Sequence, residues 1–194
     1  MAKFRFREYF EYPEVLDLFK YAPSRKIRLL MMIQFYSGCR ISESTNIAKQ
    51  DILWEEGKIR IIGKGDKERK VIMPRELEFE LQNWKPVFKD VNKQTGKHYV
   101  YCYMTTQNIN IQYKKAYQLA LKNNPKIGYV KKFSTHTLRH SAVRFLWTSG
   151  YNPTQVMALL GHANLSTTMI YSMLNPAYDI SNEKIENNIN NYYK

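Results

Sequence analysis

The sequence predicts an α+β fold that is mainly helical and carries a small three-stranded antiparallel sheet. Apolar residues recur at helical spacing through most of the chain, as at Leu138 and Ala142. Two β-branched runs, 58–62 and 70–73, flank the glycine-rich sequence GKGDKER, which is typical of a hairpin. The sequence YVYCY at 99–103 predicts the third strand. We therefore expect helices packed around one small sheet.

Capping residues and glycines divide the helical part of the chain into segments. Serine, asparagine and proline are preferred at helix starts, and glycine ends helices because it readily adopts a left-handed conformation. The predicted helices are a first near Pro13, a second from Ser24 to Gly38, a third over 41–48, a fourth over 77–84, a fifth over 106–121, a sixth from Ser134 to Gly150, a seventh from Pro153 to Gly161 and a short eighth from Ser166.

The composition favours one globular domain with a polyanionic partner. A chain of 194 residues with 44% hydrophobic content can form a packed core, and its net charge of +13 suits DNA or RNA. The sequence has no apolar run near the ~20 residues that span a bilayer and no signal-peptide core, so we expect a cytoplasmic protein without a membrane segment. Cys39 and Cys102 lack metal or disulfide spacing and are predicted to be reduced.

The sequences SGCRISE and GKGDKER each present a basic side chain at an exposed turn. Arg40 stands at a helix start, where an arginine can reach an anion, and Glu43 is three residues further on and can orient its guanidinium. Lys64 lies at the hairpin tip. The alternative for Arg40 and Glu43 is an ordinary surface ion pair. The alternative for Lys64 is a solvated hairpin tip without a functional role. The tip lacks the upstream glycine and the following serine or threonine of a P-loop, so we expect no nucleotide cofactor.

The sequence HTLRH places His136 and His140 one helical turn apart, which is a spacing that can bind zinc. A zinc hydrolase needs glutamate directly after the first histidine, where this chain has Thr137, and Arg139 would repel a cation. We therefore expect no metal. His140 can be either a hydrogen-bonded structural residue or a catalytic one.

The scattered polar groups suit one substrate, a phosphodiester attacked by a phenolic oxygen. Two guanidiniums can bind the non-bridging oxygens and stabilise the five-coordinate transition state. Lys64 can protonate the departing 5′-oxygen, His136 can assist proton transfer from Tyr171, and His162 can hydrogen-bond the phosphate. The candidate catalytic residues are Arg40, Lys64, His136, Arg139, His162 and Tyr171.

Over residues 10–176 the sequence resembles the catalytic domain of the tyrosine recombinases, the lambda-integrase and Xer-type site-specific recombinases. The resemblance rests on SGCRISE, on GKGDKER between two strands, on HTLRH, and on LGHANLSTTMIY, in which the tyrosine follows the histidine by nine residues. It implies cleavage of double-stranded DNA to a 3′-phosphotyrosine with a free 5′-hydroxyl, followed by rejoining without ATP, metal or another cofactor. The implied site residues are the pair Arg40 and Arg139, the hairpin Lys64, the histidines His136 and His162, the nucleophile Tyr171, and Glu43 supporting the first arginine.

We expect residues 1–176 to form this catalytic domain and 177–194 to form a C-terminal tail. The tail has an apolar stripe of Ile185, Ile189 and Tyr192, which either folds back on its own domain or docks on a neighbouring protomer, as the resemblance implies for tetramers on DNA. The usual N-terminal core-binding domain is expected to be absent, which leaves a catalytic fragment or a minimal enzyme.

Additional DNA contacts are expected from Lys67, Arg69 and Arg144. Two other functions remain open at this point. A type IB topoisomerase-like enzyme uses similar chemistry to relax DNA, and a non-catalytic DNA-binding regulator could keep the fold and the basic surface.

Overall fold

The computed structural model describes residues 8–63, 65–84, 104–130, 133–160 and 182–192 of the chain. These residues are mainly helical and carry one small antiparallel sheet, as the sequence predicts. The elements are α1 (Tyr12–Lys20), α2 (Arg25–Ser37), α3 (Ile41–Thr45), β1 (Ile52–Leu53), β2 (Lys58–Ile62), β3 (Glu68–Ile72), α4 (Arg75–Gln82), α5 (Thr106–Asn123), α6 (Thr135–Thr148), α7 (Pro153–Leu160) and α8 (Asn182–Tyr192).

The helix boundaries follow the capping residues. The Ser24 hydroxyl accepts from the backbone N–H of Ile27, and Ser134 caps α6 in the same way. Gly38 ends α2 with a φ of 58°, and Gly150 follows α6 with a φ of 86°. These predicted boundaries are confirmed. The helix predicted over 41–48 is shorter and ends at Thr45, whose hydroxyl bonds back to a carbonyl of its own helix.

The sheet has the order β1-β2-β3, with both pairs antiparallel. Strands β2 and β3 form the predicted hairpin, in which Ile59 lies opposite Val71. The third strand of the described sheet is Ile52–Leu53, which the sequence did not reveal because two residues are too few for an alternating pattern. The strand expected at 99–103 and the short helix expected from Ser166 both lie outside the described residues, so α8 is not the predicted eighth helix.

Helix α2 is the centre of the core. It packs against α1, α4, α5 and α6, and it is buried continuously from Leu29 to Ser37. The Phe35 ring lies 5.2 Å from that of Phe145 on α6. The buried Gln34 is satisfied, since its amide nitrogen donates to the Thr135 carbonyl and its oxygen accepts from the Tyr113 hydroxyl. The core therefore holds the C-terminal end of α2 in a fixed place.

The C-terminal helix α8 packs on its own domain. Ile185 and Ile189 are 3% and 5% exposed and belong to the main hydrophobic core. Glu186 accepts a hydrogen bond from the backbone of Arg75 at the start of α4, and Asn188 donates to the Ser149 hydroxyl at the end of α6. This arrangement corresponds to the first of the two alternatives for the tail, and docking on a neighbouring protomer stays a hypothesis.

Candidate active site

Arg40 and Glu43 form the first turn of α3. The Arg40 backbone N–H donates to Glu43 Oε2 at 2.9 Å, and Arg40 Nη1 donates to Glu43 Oε1 at 3.0 Å. The expected contact between the two residues is therefore present. The Arg40 side chain remains 44% exposed. A guanidinium that is oriented by a carboxylate and still open to solvent can bind an incoming anion.

Arg139 projects from α6 and is only 7% exposed. Its Nη1 donates to the Gly38 carbonyl at the end of α2, and its Nη2 donates to the Leu160 carbonyl at the end of α7 at 3.0 Å. Burial, together with the nearby charge of Arg40, lowers the pKa of Arg139 to about 10. Arg139 is thus a desolvated cation that stays protonated at neutral pH, and a bound phosphate would compensate for its lost hydration.

Arg69 is placed differently from the expectation that it contacts DNA. Its Nη2 donates to Glu43 Oε2 at 2.8 Å, its Nε donates to the Leu159 carbonyl at 2.8 Å, and the side chain is 11% exposed. The guanidinium is directed inward because Arg69 lies on the same face of β3 as the buried Val71. That alternation was the sequence signal that could have identified Arg69 as an internal residue.

The charges of this cluster favour an anion. Burial alone would raise the pKa of Glu43, but hydrogen bonds from Arg69 and from the Arg40 backbone outweigh it and lower that pKa. Glu43 is therefore ionised at neutral pH. The guanidiniums of Arg40 and Arg69 form ion pairs with this carboxylate, and that of Arg139 interacts with it electrostatically, so the cluster has two positive charges in excess. Such a site is suited to a phosphodiester.

The hairpin loop begins against the same cluster. The Gly63 N–H donates to the Lys67 carbonyl at 2.9 Å, and a Cβ at Gly63 would lie 3.4 Å from Glu43 Oε1. Gly65 and Asp66 turn the chain with φ values of 73° and 56°. Lys67 is exposed at this tip, and its contact with DNA stays a prediction. Lys64 itself lies outside the described residues, although both of its neighbours are described.

The structure describes three further residues of the predicted site, His136, His140 and Arg144. His136 is exposed in the first turn of α6. His140 is half-buried, and burial lowers its pKa, with a smaller contribution of the same sign from His136. Arg144 forms an ion pair with Glu11 at 3.4 Å and lies over the Tyr9 ring, so its charge is already engaged within the domain. His162 and Tyr171 lie outside the described residues.

The described residues contain neither a metal-binding cluster nor a membrane-spanning helix. No group of three or more His, Cys, Asp or Glu side chains is placed there to hold a metal ion. Among the same residues, no helix combines the length and the apolar character needed to cross a bilayer.

Solved structures of site-specific recombinases share this fold. The crystal structure of XerA recombinase superimposes with a TM-score of 0.70 at 22% identity, covering 95% of this chain and 63% of that one. A pre-cleavage complex of XerH recombinase with its difH substrate gives a TM-score of 0.70 at 24% identity, covering 86% and 50%. The fold is therefore that of the catalytic domains of tyrosine recombinases.

The chain belongs to the phage integrase family, whose model matches residues 8–177. A curated relative, tyrosine recombinase XerC of Proteus mirabilis, is 32% identical over 147 residues. The aligned region covers 76% of this chain and 47% of the relative, so the chain spans about half the length of the curated protein that it matches. The resemblance to tyrosine recombinases that the sequence motifs indicate is confirmed.

Proposed function

We propose that this chain is the catalytic domain of a site-specific DNA recombinase that cleaves and rejoins strands through a covalent 3′-phosphotyrosine at Tyr171. The observation that carries the proposal is the convergence of Arg40 and Arg139 on the cluster around Glu43. Both arginines are anchored at helix ends, and the site keeps an excess of positive charge. Membership of the phage integrase family and the fold of the recombinase structures support it further.

Cleavage exchanges one phosphodiester for another. The Tyr171 oxygen bonds to phosphorus, the bond to the 5′-oxygen breaks, and that oxygen takes a proton from Lys64. The phenolic proton passes to solvent with the assistance of His136, and His162 donates a hydrogen bond to the phosphate. A 5′-hydroxyl of another strand then attacks phosphorus and returns its proton to Lys64, while the released Tyr171 oxygen is reprotonated with the assistance of His136. The number of phosphodiester bonds is unchanged, so the reaction needs neither ATP nor a cofactor.

Arg40 and Arg139 stabilise the negative charge that develops in the transition state of each step. The five-coordinate transition state carries more negative charge on its non-bridging oxygens than the ground state does, and fixed guanidiniums respond to that charge without reorganising. Arg139 is buried and Arg40 is partly exposed, which allows the first to act in a low dielectric while the second meets the entering DNA.

The partners follow from the reaction. The XerH structure contains that protein's own DNA substrate, and we propose double-stranded DNA as the substrate of this chain. Strand exchange requires two sites, so we also propose self-association into a tetramer on DNA. Because its proposed substrate is DNA, we also propose a cytoplasmic location for the protein.

A nicked suicide substrate followed by a denaturing gel tests the proposal. Wild-type protein should form a covalent protein–DNA adduct, whereas Tyr171→Phe should bind DNA and form none, because phenylalanine lacks the attacking oxygen. Tyr129→Phe, at an exposed tyrosine in the turn Pro125–Tyr129, is the matched control and should retain the adduct. An adduct of undiminished yield in Tyr171→Phe would refute the nucleophile.

Assays of the wild-type protein also test the two alternative functions, a topoisomerase-like enzyme and a non-catalytic regulator. Relaxation of supercoiled DNA without strand exchange would favour a topoisomerase-like enzyme, and DNA binding by wild type with no adduct would favour a regulator. Cleavage should be unchanged in EDTA, since no step uses a divalent ion. Loss of cleavage in EDTA with recovery on adding Mg²⁺ would contradict the mechanism.

A substrate with sulfur at the bridging 5′ position tests Lys64. Lys64→Ala should cleave an ordinary strand about 10²–10⁴-fold more slowly, the usual span for acid–base catalysis. It should cleave the sulfur substrate nearly as well as wild type, because a thiolate leaves without a proton. Lys70→Ala, at an exposed lysine on the same hairpin, should cleave both substrates normally. Equal defects of Lys64→Ala on both substrates would reassign Lys64 to DNA binding.

A further inference from the structure

Arg69 connects three parts of the candidate site. It lies on β3, directly opposite Ile61 in the hairpin, and its side chain is largely buried. Its Nη2 donates to Glu43 on α3 and its Nε donates to the Leu159 carbonyl near the end of α7. One planar guanidinium therefore holds the hairpin, α3 and α7 together.

Each hydrogen-bond partner of Arg69 is linked to one of the two site arginines, Arg40 or Arg139. Glu43 accepts a hydrogen bond from Arg69 Nη2 on Oε2 and another from Arg40 Nη1 on Oε1. Leu159 precedes Leu160, whose carbonyl accepts from Arg139 Nη2. A shift of Arg69 would therefore move the carboxylate that orients Arg40 and the helix end that orients Arg139. The Gly63 position also lies against Arg69, since a Cβ there would be 3.5 Å from Arg69 Nη1.

We propose that Arg69 is a positioning residue that fixes the two site arginines, Arg40 and Arg139, relative to each other, an inference that rests on the proposed function. The Nε and Nη2 donors of a guanidinium point in fixed directions within one plane, which matches two acceptors from different elements. A lysine at this position has a single terminal nitrogen on a flexible stem and cannot reproduce that geometry. Arg69 also supplies Glu43 with a second cation, so Arg40 is not the only group that neutralises this carboxylate.

The test compares substitutions on one strand. Arg69→Met removes the charge and the donors but keeps an unbranched side chain, Arg69→Lys keeps the charge, and Lys70→Met removes the neighbouring exposed charge as the control. The measurements are the single-turnover rate of adduct formation at saturating suicide substrate, the DNA affinity, and the thermal unfolding of each protein.

We expect Arg69→Met to form the adduct about 10- to 10²-fold more slowly, as small displacements of catalytic groups do, with little change in DNA affinity. Arg69→Lys should fall between Arg69→Met and wild type, and Lys70→Met should match wild type. In an Arg40→Ala background, Arg69→Met should cause a smaller further loss, because part of its effect passes through Arg40. If Arg69 had a purely structural role, the rate losses of the two single variants would multiply in the double variant.

The outcomes separate this inference from the proposed function. If wild type forms no adduct, both are overturned. If wild type forms the adduct and Arg69→Met forms it as quickly, only the positioning role is refuted. A defect confined to DNA affinity, or full multiplication with Arg40→Ala, also refutes it. If Arg69→Met does not unfold cooperatively, the same comparisons are made with Arg69→Lys, and a wild-type rate there refutes the need for the guanidinium fork.

Discussion

The guanidinium of Arg139 donates a hydrogen bond to the backbone carbonyl of Gly38, although 101 positions separate the two residues in the sequence. Gly38 ends α2, and Arg40 follows two residues later. Because the core fixes α2, one backbone turn determines where both site arginines lie. Ordinary helix packing therefore places the arginine pair, and we expect substitutions in that turn to affect stability and cleavage together.

Gly38→Ala should destabilise the domain more than Gly57→Ala does. Both glycines are left-handed, with φ values of 58° and 59°, so both substitutions carry the same backbone strain. A Cβ at Gly38 would clash with Leu160 Cδ2, whereas a Cβ at Gly57 would have no atom within 4 Å. We expect Gly38→Ala to cost about 1–3 kcal/mol beyond the cost of Gly57→Ala, the usual range for overpacking.

Urea unfolding of the two variants measures this difference. Since the Leu160 carbonyl holds Arg139, Gly38→Ala should also slow adduct formation, while Gly57→Ala should not. Equal unfolding free energies for the two variants would mean that Leu160 moves aside at no cost and that the turn is less rigid than the packing indicates.

The local elements of this fold could be predicted from the sequence because their signals are local. Ser24 and Ser134 cap their helices, and Gly38 ends α2 in a left-handed conformation. The Arg40–Glu43 contact was also predictable, because the first turn of a helix brings residues three apart together.

The parts that were not predicted depend on tertiary contacts. Arg69 was expected to reach DNA. Its alternation with Val71 on β3 indicates an internal side chain, but its acceptors, Glu43 and the Leu159 carbonyl, are distant in the sequence and could not be predicted. Strand β1 is only Ile52–Leu53 and exists through its pairing with β2. The carbonyl acceptors of Arg139 have no side-chain signature at all. Sequence motifs indicate side chains, whereas the backbone groups that hold those side chains leave no pattern in the sequence.

Glu43→Gln should destabilise the protein in a pH-dependent way. The pKa of Glu43 is lowered in the folded state from its ordinary value of 4.5, so ionised Glu43 stabilises the fold fully above that value. We expect Glu43→Gln to cost about 1.5–3 kcal/mol at neutral pH, the range for losing hydrogen bonds to a charged group. The difference should narrow as the pH falls below 4.5 and wild-type Glu43 becomes protonated.

This expectation is tested by measuring the unfolding free energy of wild type and of Glu43→Gln as a function of pH. The carboxylates common to both proteins cancel in the difference between the two curves. Glu55→Gln, at an exposed glutamate in the turn Trp54–Glu56, is the charge-matched control and should give a difference near zero at every pH. A Glu43→Gln difference that stays constant into acid would show that the carboxylate charge contributes nothing to stability.

Cys39 should be unreactive in the folded protein. Its side chain is fully buried between Gly38 and Arg40, and burial raises its pKa to about 11. At pH 8 about one thiol in a thousand is then a thiolate, against about one in ten for the ordinary value of 9.0. In a Cys102→Ser background, a disulfide reagent should label Cys39 only as fast as the domain unfolds. Rapid stoichiometric labelling in native buffer would contradict the burial of this turn.

Ile189→Ala should destabilise the isolated protein, because α8 packs on its own domain. Ile189 is buried in the core, and the helix is tied at Glu186 to Arg75 and at Asn188 to Ser149. Truncating a buried isoleucine to alanine costs about 2–5 kcal/mol, whereas Asn190→Ala, one residue further along on the exposed side, should change the unfolding free energy by less than about 0.5 kcal/mol. The loss should be independent of protein concentration, since it arises within one chain. An unchanged unfolding free energy for Ile189→Ala, combined with weaker self-association on DNA, would instead assign the apolar stripe of α8 to a neighbouring protomer.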